Sequence, residues 1–101
     1  MNFGIKPKSM ELIINTLWEK EQVEKTAIFG SRAMGNYKNG SDVDLVIYGE
    51  NITKEMVNEI SIKLNEELPL PYYFDVIHYE SLKHDGLREH IDEFAKIIYK
   101  R

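Results

Sequence analysis

Gly30-Ser31-Arg32-Ala33-Met34-Gly35 and Ser41-Asp42-Val43-Asp44-Leu45 are the two most informative runs of this sequence. Ten residues separate Ser31 from Asp42. A glycine that follows a strand permits a tight turn and lets the backbone approach a ligand closely. A serine at a helix start adds a hydroxyl beside backbone N–H groups, which together suit the terminal phosphates of a nucleotide. Gly30 and Ser31 are therefore candidate phosphate-binding residues.

The residues around these runs predict that a loop joins two strands. Residues 25–29 form a short strand candidate that leads directly into Gly30. Residues 35–41 are dense in turn formers and predict a surface loop. Residues 42–48 are rich in β-branched side chains and predict a second strand that ends at Gly49.

The rest of the chain predicts three helices and one further strand. Apolar residues at helical spacing predict a helix over residues 9–23, with Ser9 as its N-cap. Thr53 is a candidate cap for a second helix that runs to Leu68 and stops at the prolines that follow. Residues 72–79 predict a third strand, and the spacing of Leu87, Ile91, Phe94 and Ile98 predicts a final amphipathic helix. The pattern indicates one α+β domain over residues 1–101, with a small mixed β-sheet of about three strands flanked by helices.

The two aspartates of the second run indicate a metal site. Successive side chains of a strand point to opposite faces, so Asp42 and Asp44 emerge on the same face. Two carboxylates this close repel each other unless a cation neutralises them. Oxygen ligands without cysteine or histidine favour a hard cation such as Mg²⁺, which takes part of its shell from substrate phosphates. Alternatively, the two aspartates act as turn and cap residues after Asn39-Gly40-Ser41.

Asp75 is a third candidate ligand, because it is a carboxylate within the otherwise apolar run of residues 72–79. An unpaired charge in such a run is costly, and a shared metal site would explain it. If its strand neighbours the strand of Asp42 and Asp44, the three carboxylates can converge. An ion pair with a lysine or arginine at a sheet edge is the alternative.

Composition excludes several classes of protein. The 101 residues are 43% hydrophobic and 30% charged, as in ordinary globular domains. A net charge of −4 argues against general nucleic-acid binding, which requires clustered lysine and arginine. The absence of cysteine excludes disulfides and thiolate zinc sites. The sequence has no membrane-spanning run and starts without the apolar stretch of a secretory signal, which predicts a cytoplasmic protein.

The Gly-Ser turn, the Asp-x-Asp strand and the later strand aspartate together resemble the minimal nucleotidyltransferases of the DNA polymerase β-like superfamily. The resemblance covers nearly the whole chain and implies the palm-like fold of that superfamily. It also implies a magnesium-dependent enzyme that moves AMP from ATP onto an acceptor hydroxyl. By this resemblance, Asp42 and Asp44 would bind two Mg²⁺ ions, and Asp75 would bind the catalytic ion and activate the acceptor.

The resemblance also assigns the nucleotide contacts. Gly30 and Ser31 would hold the β- and γ-phosphates, with Arg32 as a further nucleotide-binding candidate. Family members often carry an arginine where Met34 stands here, and this departure removes a cationic contact to the triphosphate. From the residues alone, Ser31 can also be a helix cap and Arg32 a surface side chain. The three histidines lack metal-ligand spacing and are interpreted as surface or structural residues, namely His78, His84 and His90.

The resemblance further implies a partner. Minimal proteins of this kind typically accompany a helical HEPN-domain toxin and in some cases inactivate it by adenylylating a tyrosine, which would make this chain an antitoxin. Two alternatives stay open at this point. One is a non-catalytic antitoxin module of the same fold that binds nucleotide or partner, and the other is an adenylyltransferase for small molecules such as antibiotics. The sequence leaves homo-oligomerisation open.

Overall fold

The computed structural model describes residues 2–101. Four helices and four strands follow one another along the chain, with a π-helical turn after the third helix and a short 3₁₀ turn after the third strand. In chain order they are α1 (Pro7–Trp18), β1 (Lys25–Phe29), α2 (Gly30–Met34), β2 (Val43–Tyr48), α3 (Lys54–Ile62), the π-helical turn (Lys63–Glu67), β3 (Phe74–His78), the 3₁₀ turn (Tyr79–Ser81), α4 (Asp85–Phe94) and β4 (Lys96–Lys100).

The strands form one mixed sheet in the order β3-β2-β1-β4. Strand β1 pairs antiparallel with both β2 and β4, whereas β2 and β3 pair parallel through the crossover that contains α3. Parallel neighbours need such a crossover because a short hairpin cannot join them. The aspartates of β2 and β3 therefore lie near the same end of two adjacent strands.

Helices cover both faces of the sheet. On one face, Ile13 and Leu17 of α1 and Ile60 of α3 pack against buried strand residues such as Leu45. On the other face, Ile91 of α4 packs with Ala27, Phe29 and Val46. Asp44 alternates with Leu45 and so shares the α4 face with Val46. Helix α4 therefore packs on the sheet face from which Asp44 projects.

The structure confirms most of the predicted elements. Strand β1 has the predicted bounds, and β2 and β3 lie within the predicted stretches. Thr53 caps α3 as predicted, since its hydroxyl accepts a hydrogen bond from the Met56 N–H at 3.2 Å. The prediction that Ser9 caps the first helix is wrong. Pro7 already occupies the first turn, where a proline is favoured, and Ser9 is buried inside the helix.

The predicted final helix is wrong in its last third. Helix α4 ends at Phe94, and Lys96–Lys100 forms β4, a fourth strand that pairs with β1. The segment contains two isoleucines and a tyrosine, which favour strands, and β1 offers it an unpaired edge. Sheet pairing therefore overrides the helical spacing of Ile98. The observed sheet has one strand more than the three expected.

Within residues 2–101, no helix combines the length and the hydrophobicity that a membrane crossing would require.

Candidate active site

Two of the predicted acidic residues are direct neighbours across the parallel strands. Asp44 of β2 pairs in register with Asp75 of β3. Adjacent strands lie about 4.8 Å apart, and paired residues point to the same face, so the two carboxylates leave the sheet side by side. Asp42 directly precedes β2 and is exposed. It lies two residues before Asp44, and a backbone bond of 2.8 Å from the Val43 N–H to the Tyr73 carbonyl extends the pairing to this end.

The charge of Asp44 is disfavoured by its surroundings in the fold. The pKa of Asp44 is raised above its ordinary value, first by burial and then by repulsion from Asp75 and from Asp42. His90 and Arg32 oppose part of this rise. A raised pKa means that the charged form of Asp44 is disfavoured in the absence of a cation. The site therefore has a deficit of positive charge that a bound cation would relieve.

Gly30 approaches Asp44 so closely that no side chain fits between them. Gly30 has φ of +73°, which favours glycine, and it is the first residue of α2. A Cβ placed on this residue would lie 2.3 Å from Oδ2 of Asp44. The structure thus brings the predicted turn and the predicted carboxylate together. Ser31, the second residue of α2, is partly exposed at the same turn.

Arg32 lies differently from what a nucleotide ligand requires. Its side chain is buried with 3% of its surface exposed. The guanidinium donates to the carbonyl oxygens of Phe3 at 2.8 Å, of Ser41 at 2.7 Å and of Asp42 at 3.3 Å. It is also stacked against the rings of Tyr37 and Tyr72. These contacts make Arg32 a support for the loop that precedes Asp42.

His90 is a site residue that the sequence interpretation missed. Its Nε2 accepts a hydrogen bond from the Gly30 N–H at 3.2 Å. The signal was present in the spacing, because His90 lies three residues after Leu87 and four before Phe94, on the inward side of α4. His78 and His84 have structural contacts, as expected. His78 Nε2 lies 2.7 Å from the Gly49 carbonyl, and His84 caps α4 by accepting from the Leu87 N–H.

The donor set suits a hard cation in its chemistry, although it is not assembled as a closed metal site. Asp42, Asp44 and Asp75 offer carboxylate oxygens alone, the ligands that Mg²⁺ prefers. In residues 2–101, no three acidic or histidine side chains are grouped closely enough to hold a metal ion by themselves. Mg²⁺ usually binds through one or two carboxylates plus substrate phosphates, so an open set of this kind fits the ion when nucleotide completes its shell.

The family comparison covers most of the chain. Residues 11–101 match the model of the family described as "Polymerase beta, Nucleotidyltransferase". A comparison with curated protein sequences found no match. The matched residues include the Gly30 turn and all three aspartates.

Several solved structures share the fold. A toxin–antitoxin structure with AMP-PNP is 19% identical with a TM-score of 0.75, and the match covers 91% of this chain and 73% of that one. A tri-AMPylated HEPN toxin from Shewanella oneidensis in complex with an MNT antitoxin is 17% identical with a TM-score of 0.69, over 93% and 71% of the two chains. A structure of the toxin–antitoxin MntA-HepT is 16% identical with a TM-score of 0.70, over 95% and 74%. At these identities the likeness concerns the fold.

Proposed function

This chain belongs to the polymerase β nucleotidyltransferase family, and on that premise we propose that it transfers AMP from ATP to a hydroxyl group of a protein partner, with Mg²⁺ as cofactor. The observation that supports this proposal best is the pairing of Asp44 with Asp75 beside the Gly30 turn. Burial and the neighbouring carboxylates raise the pKa of Asp44, and a bound cation would favour its charged form. The turn next to them leaves backbone and hydroxyl groups for phosphate.

The proposed reaction is an in-line displacement at the α-phosphorus of ATP. The acceptor hydroxyl oxygen forms the new ester bond to the α-phosphorus. The bond from the α-phosphorus to the bridging oxygen of the β-phosphate breaks, and pyrophosphate leaves with that bonding pair. Asp75, exposed at the edge strand, is the proposed acceptor of the hydroxyl proton. Ser31 is proposed to hydrogen-bond the β- and γ-phosphates.

Mg²⁺ would be held by Asp42, Asp44 and Asp75. When bound, it supplies positive charge to the phosphates and to the attacking and leaving oxygens. The raised pKa of Asp44 supports this assignment. Burial is the largest cause of the rise, and the repulsion from Asp75 and Asp42 that adds to it would favour cation binding.

We propose a helical HEPN-domain protein as the acceptor and a tyrosine as the modified residue, which would make the chain an antitoxin. Support comes from structures of the same fold, in which an MNT antitoxin is in complex with an AMPylated HEPN toxin. A protein partner would bring its own hydroxyl to the site.

The proposal is tested by incubating the chain with MgCl₂, a candidate HEPN-domain partner and ATP labelled at either the α- or the γ-phosphate. Labelling of the partner by α-labelled ATP, without labelling by γ-labelled ATP, would identify AMP transfer rather than phosphorylation. Asp42→Asn with Asp44→Asn should abolish labelling, and Glu50→Gln, an exposed carboxylate outside the site, should not.

Two results would contradict the proposal. Labelling that persists in the Asp42→Asn, Asp44→Asn variant would exclude these residues as the metal ligands. Inhibition of the partner's activity without any label transfer would instead identify a binding module of the same fold, which is the alternative that the sequence left open.

A further inference from the structure

The imidazole of His90 is aimed at the backbone of the Gly30 turn. Its Nε2 accepts from the Gly30 N–H at 3.2 Å, which links α4 to the start of α2. The ring is also packed between aromatic side chains, with its centroid 6.3 Å from Phe29 and 5.3 Å from Phe94. To accept this bond, Nε2 must turn its lone pair toward the Gly30 N–H. Packing and hydrogen bonding thus fix the ring in one orientation.

Gly30 lies between this imidazole and a carboxylate. Its N–H contacts His90, and the position of its missing Cβ is 2.3 Å from Oδ2 of Asp44. A small movement of Gly30 away from His90 would therefore alter the space next to Asp44. The imidazole, the glycine and the carboxylate are coupled by contact, although they come from three different elements.

Neither Met34 nor Arg32 offers a free positive charge to phosphates at this turn. Met34, at the end of α2, is 50% exposed and carries no charge. The Arg32 guanidinium is buried and donates to three carbonyl oxygens. Besides the proposed Mg²⁺, phosphate binding at this turn then depends on the geometry of its backbone and of Ser31. Whatever sets that geometry controls nucleotide affinity.

We propose that His90 is a positioning residue for nucleotide binding, because its Nε2 holds the Gly30–Ser31 turn in the conformation that receives the phosphates of ATP. This inference rests on the proposed function. His90 acts through Gly30 and does not touch the reacting atoms. A purely structural role for the same side chain would stabilise the fold but leave nucleotide affinity unchanged.

Two substitutions separate these roles. His90→Gln keeps an acceptor at the reach of Nε2, whereas His90→Leu keeps an apolar side chain of similar bulk without an acceptor. Glu89→Gln, exposed on the same helix, is the control. For each protein, ¹H–¹⁵N NMR reports the Gly30 amide shift and its hydrogen exchange, and titration with MgATP in the absence of any acceptor gives the dissociation constant.

In His90→Leu, the Gly30 amide proton should move upfield and exchange faster, and the MgATP dissociation constant should rise about tenfold, the effect of losing one hydrogen bond. His90→Gln should stay within about threefold of the wild type, because its amide oxygen can accept the same bond. The imidazole ¹⁵N shifts of the wild-type protein should show Nε2 without a proton.

An unchanged Gly30 amide in His90→Leu would overturn the hydrogen bond, and a changed amide with unchanged MgATP affinity would overturn the positioning role. Affinity is measured without an acceptor, so the two hypotheses can fail separately. A chain that binds MgATP with the expected dependence on His90 but transfers no AMP would contradict the proposed function alone. A wild-type chain that binds no MgATP would overturn both.

Discussion

The side chain of Asn65 forms hydrogen bonds with both backbone groups of Phe74. The side-chain oxygen of Asn65 accepts from the Phe74 N–H at 2.7 Å, and its side-chain nitrogen donates to the Phe74 carbonyl at 3.0 Å. Phe74 begins β3, the edge strand next to β2, so the asparagine occupies the hydrogen-bonding groups that an edge strand leaves open. Asn65 lies in the π-helical turn, a conformation that is frequent at functional sites. It fixes the strand start immediately before Asp75.

Asn65→Ala should therefore destabilise the protein and displace Asp75. Loss of the two bonds leaves partly buried backbone groups unpaired, at a cost of about 1–3 kcal/mol in the free energy of unfolding. Urea denaturation measures this cost, and AMP transfer under conditions where the variant is folded measures the displacement. Asn58→Ala, exposed on α3, is the matched control and should change neither quantity. Equal behaviour of the two variants would contradict the role of Asn65.

Gly30→Ala should cost more than the same change at Gly35. Both glycines have positive φ, +73° and +81°, so both alanines suffer comparable backbone strain. A Cβ at Gly35 meets open space, whereas one at Gly30 would collide with Asp44. Overpacking of this kind adds about 1–3 kcal/mol to the loss of stability.

The difference between these two variants isolates the collision. Thermal or urea unfolding gives the stability of each, and only Gly30→Ala should also weaken MgATP binding, because the carboxylate of Asp44 must move. If both alanine variants lost the same stability and retained MgATP binding, the close approach of Gly30 to Asp44 would contribute neither to stability nor to nucleotide binding.

The convergence of Asp44 and Asp75 could be predicted from sequence because it depends on local rules. Strand periodicity fixes the face of each side chain, and only the adjacency of the two strands had to be assumed. The end of the last helix depends on a distant partner instead. The spacing of Ile98 fits a helix, but the unpaired edge of β1 supplies hydrogen bonds that make β4.

Arg32 and His90 show a second limit of sequence interpretation. Nothing in the Gly-Ser-Arg run indicates that the arginine turns inward to bind the carbonyls of Phe3 and Ser41. Likewise, the spacing of His90 places it on the inward side of an amphipathic helix but does not identify its partner, a glycine 60 residues away in sequence. Residue types predicted the chemistry of the site, whereas the tertiary contacts that orient it became visible only in the structure.

Arg32→Lys should destabilise the protein although the charge is retained. The planar guanidinium reaches carbonyl oxygens of Phe3, Ser41 and Asp42 at once, and an ammonium group on a flexible chain cannot reproduce this fork. We expect a loss of about 3 kcal/mol, because several hydrogen bonds from a charged donor are broken at a buried position. Lys38 is an exposed cation in the loop between α2 and β2, and Lys38→Ala should leave stability unchanged. An Arg32→Lys variant of normal stability that binds MgATP poorly would instead support direct nucleotide contact.

Asp44→Asn should stabilise the protein at neutral pH while it removes activity. Because the folded-state pKa of Asp44 is raised, the folded protein holds that proton more tightly than the unfolded chain does. Stability therefore falls as pH rises from the ordinary carboxyl pKa through the raised one, and the loss is complete above it. Asparagine is uncharged and escapes this loss. In metal-free buffer at pH 7, Asp44→Asn should melt about 1–3 °C higher than the wild type.

The pH dependence of this gain provides the decisive comparison. Below the ordinary carboxyl pKa, Asp44 is protonated in both states, so the difference in melting temperature between variant and wild type should vanish. Glu50→Gln, an exposed carboxylate, should show no comparable gain at either pH. MgCl₂ at pH 7 should stabilise the wild type and have little effect on Asp44→Asn, because cation binding relieves the repulsion that the substitution removes. A variant that melts below the wild type at pH 7 without metal would show that burial and repulsion from Asp75 and Asp42 do not disfavour the charge of Asp44 in the folded protein.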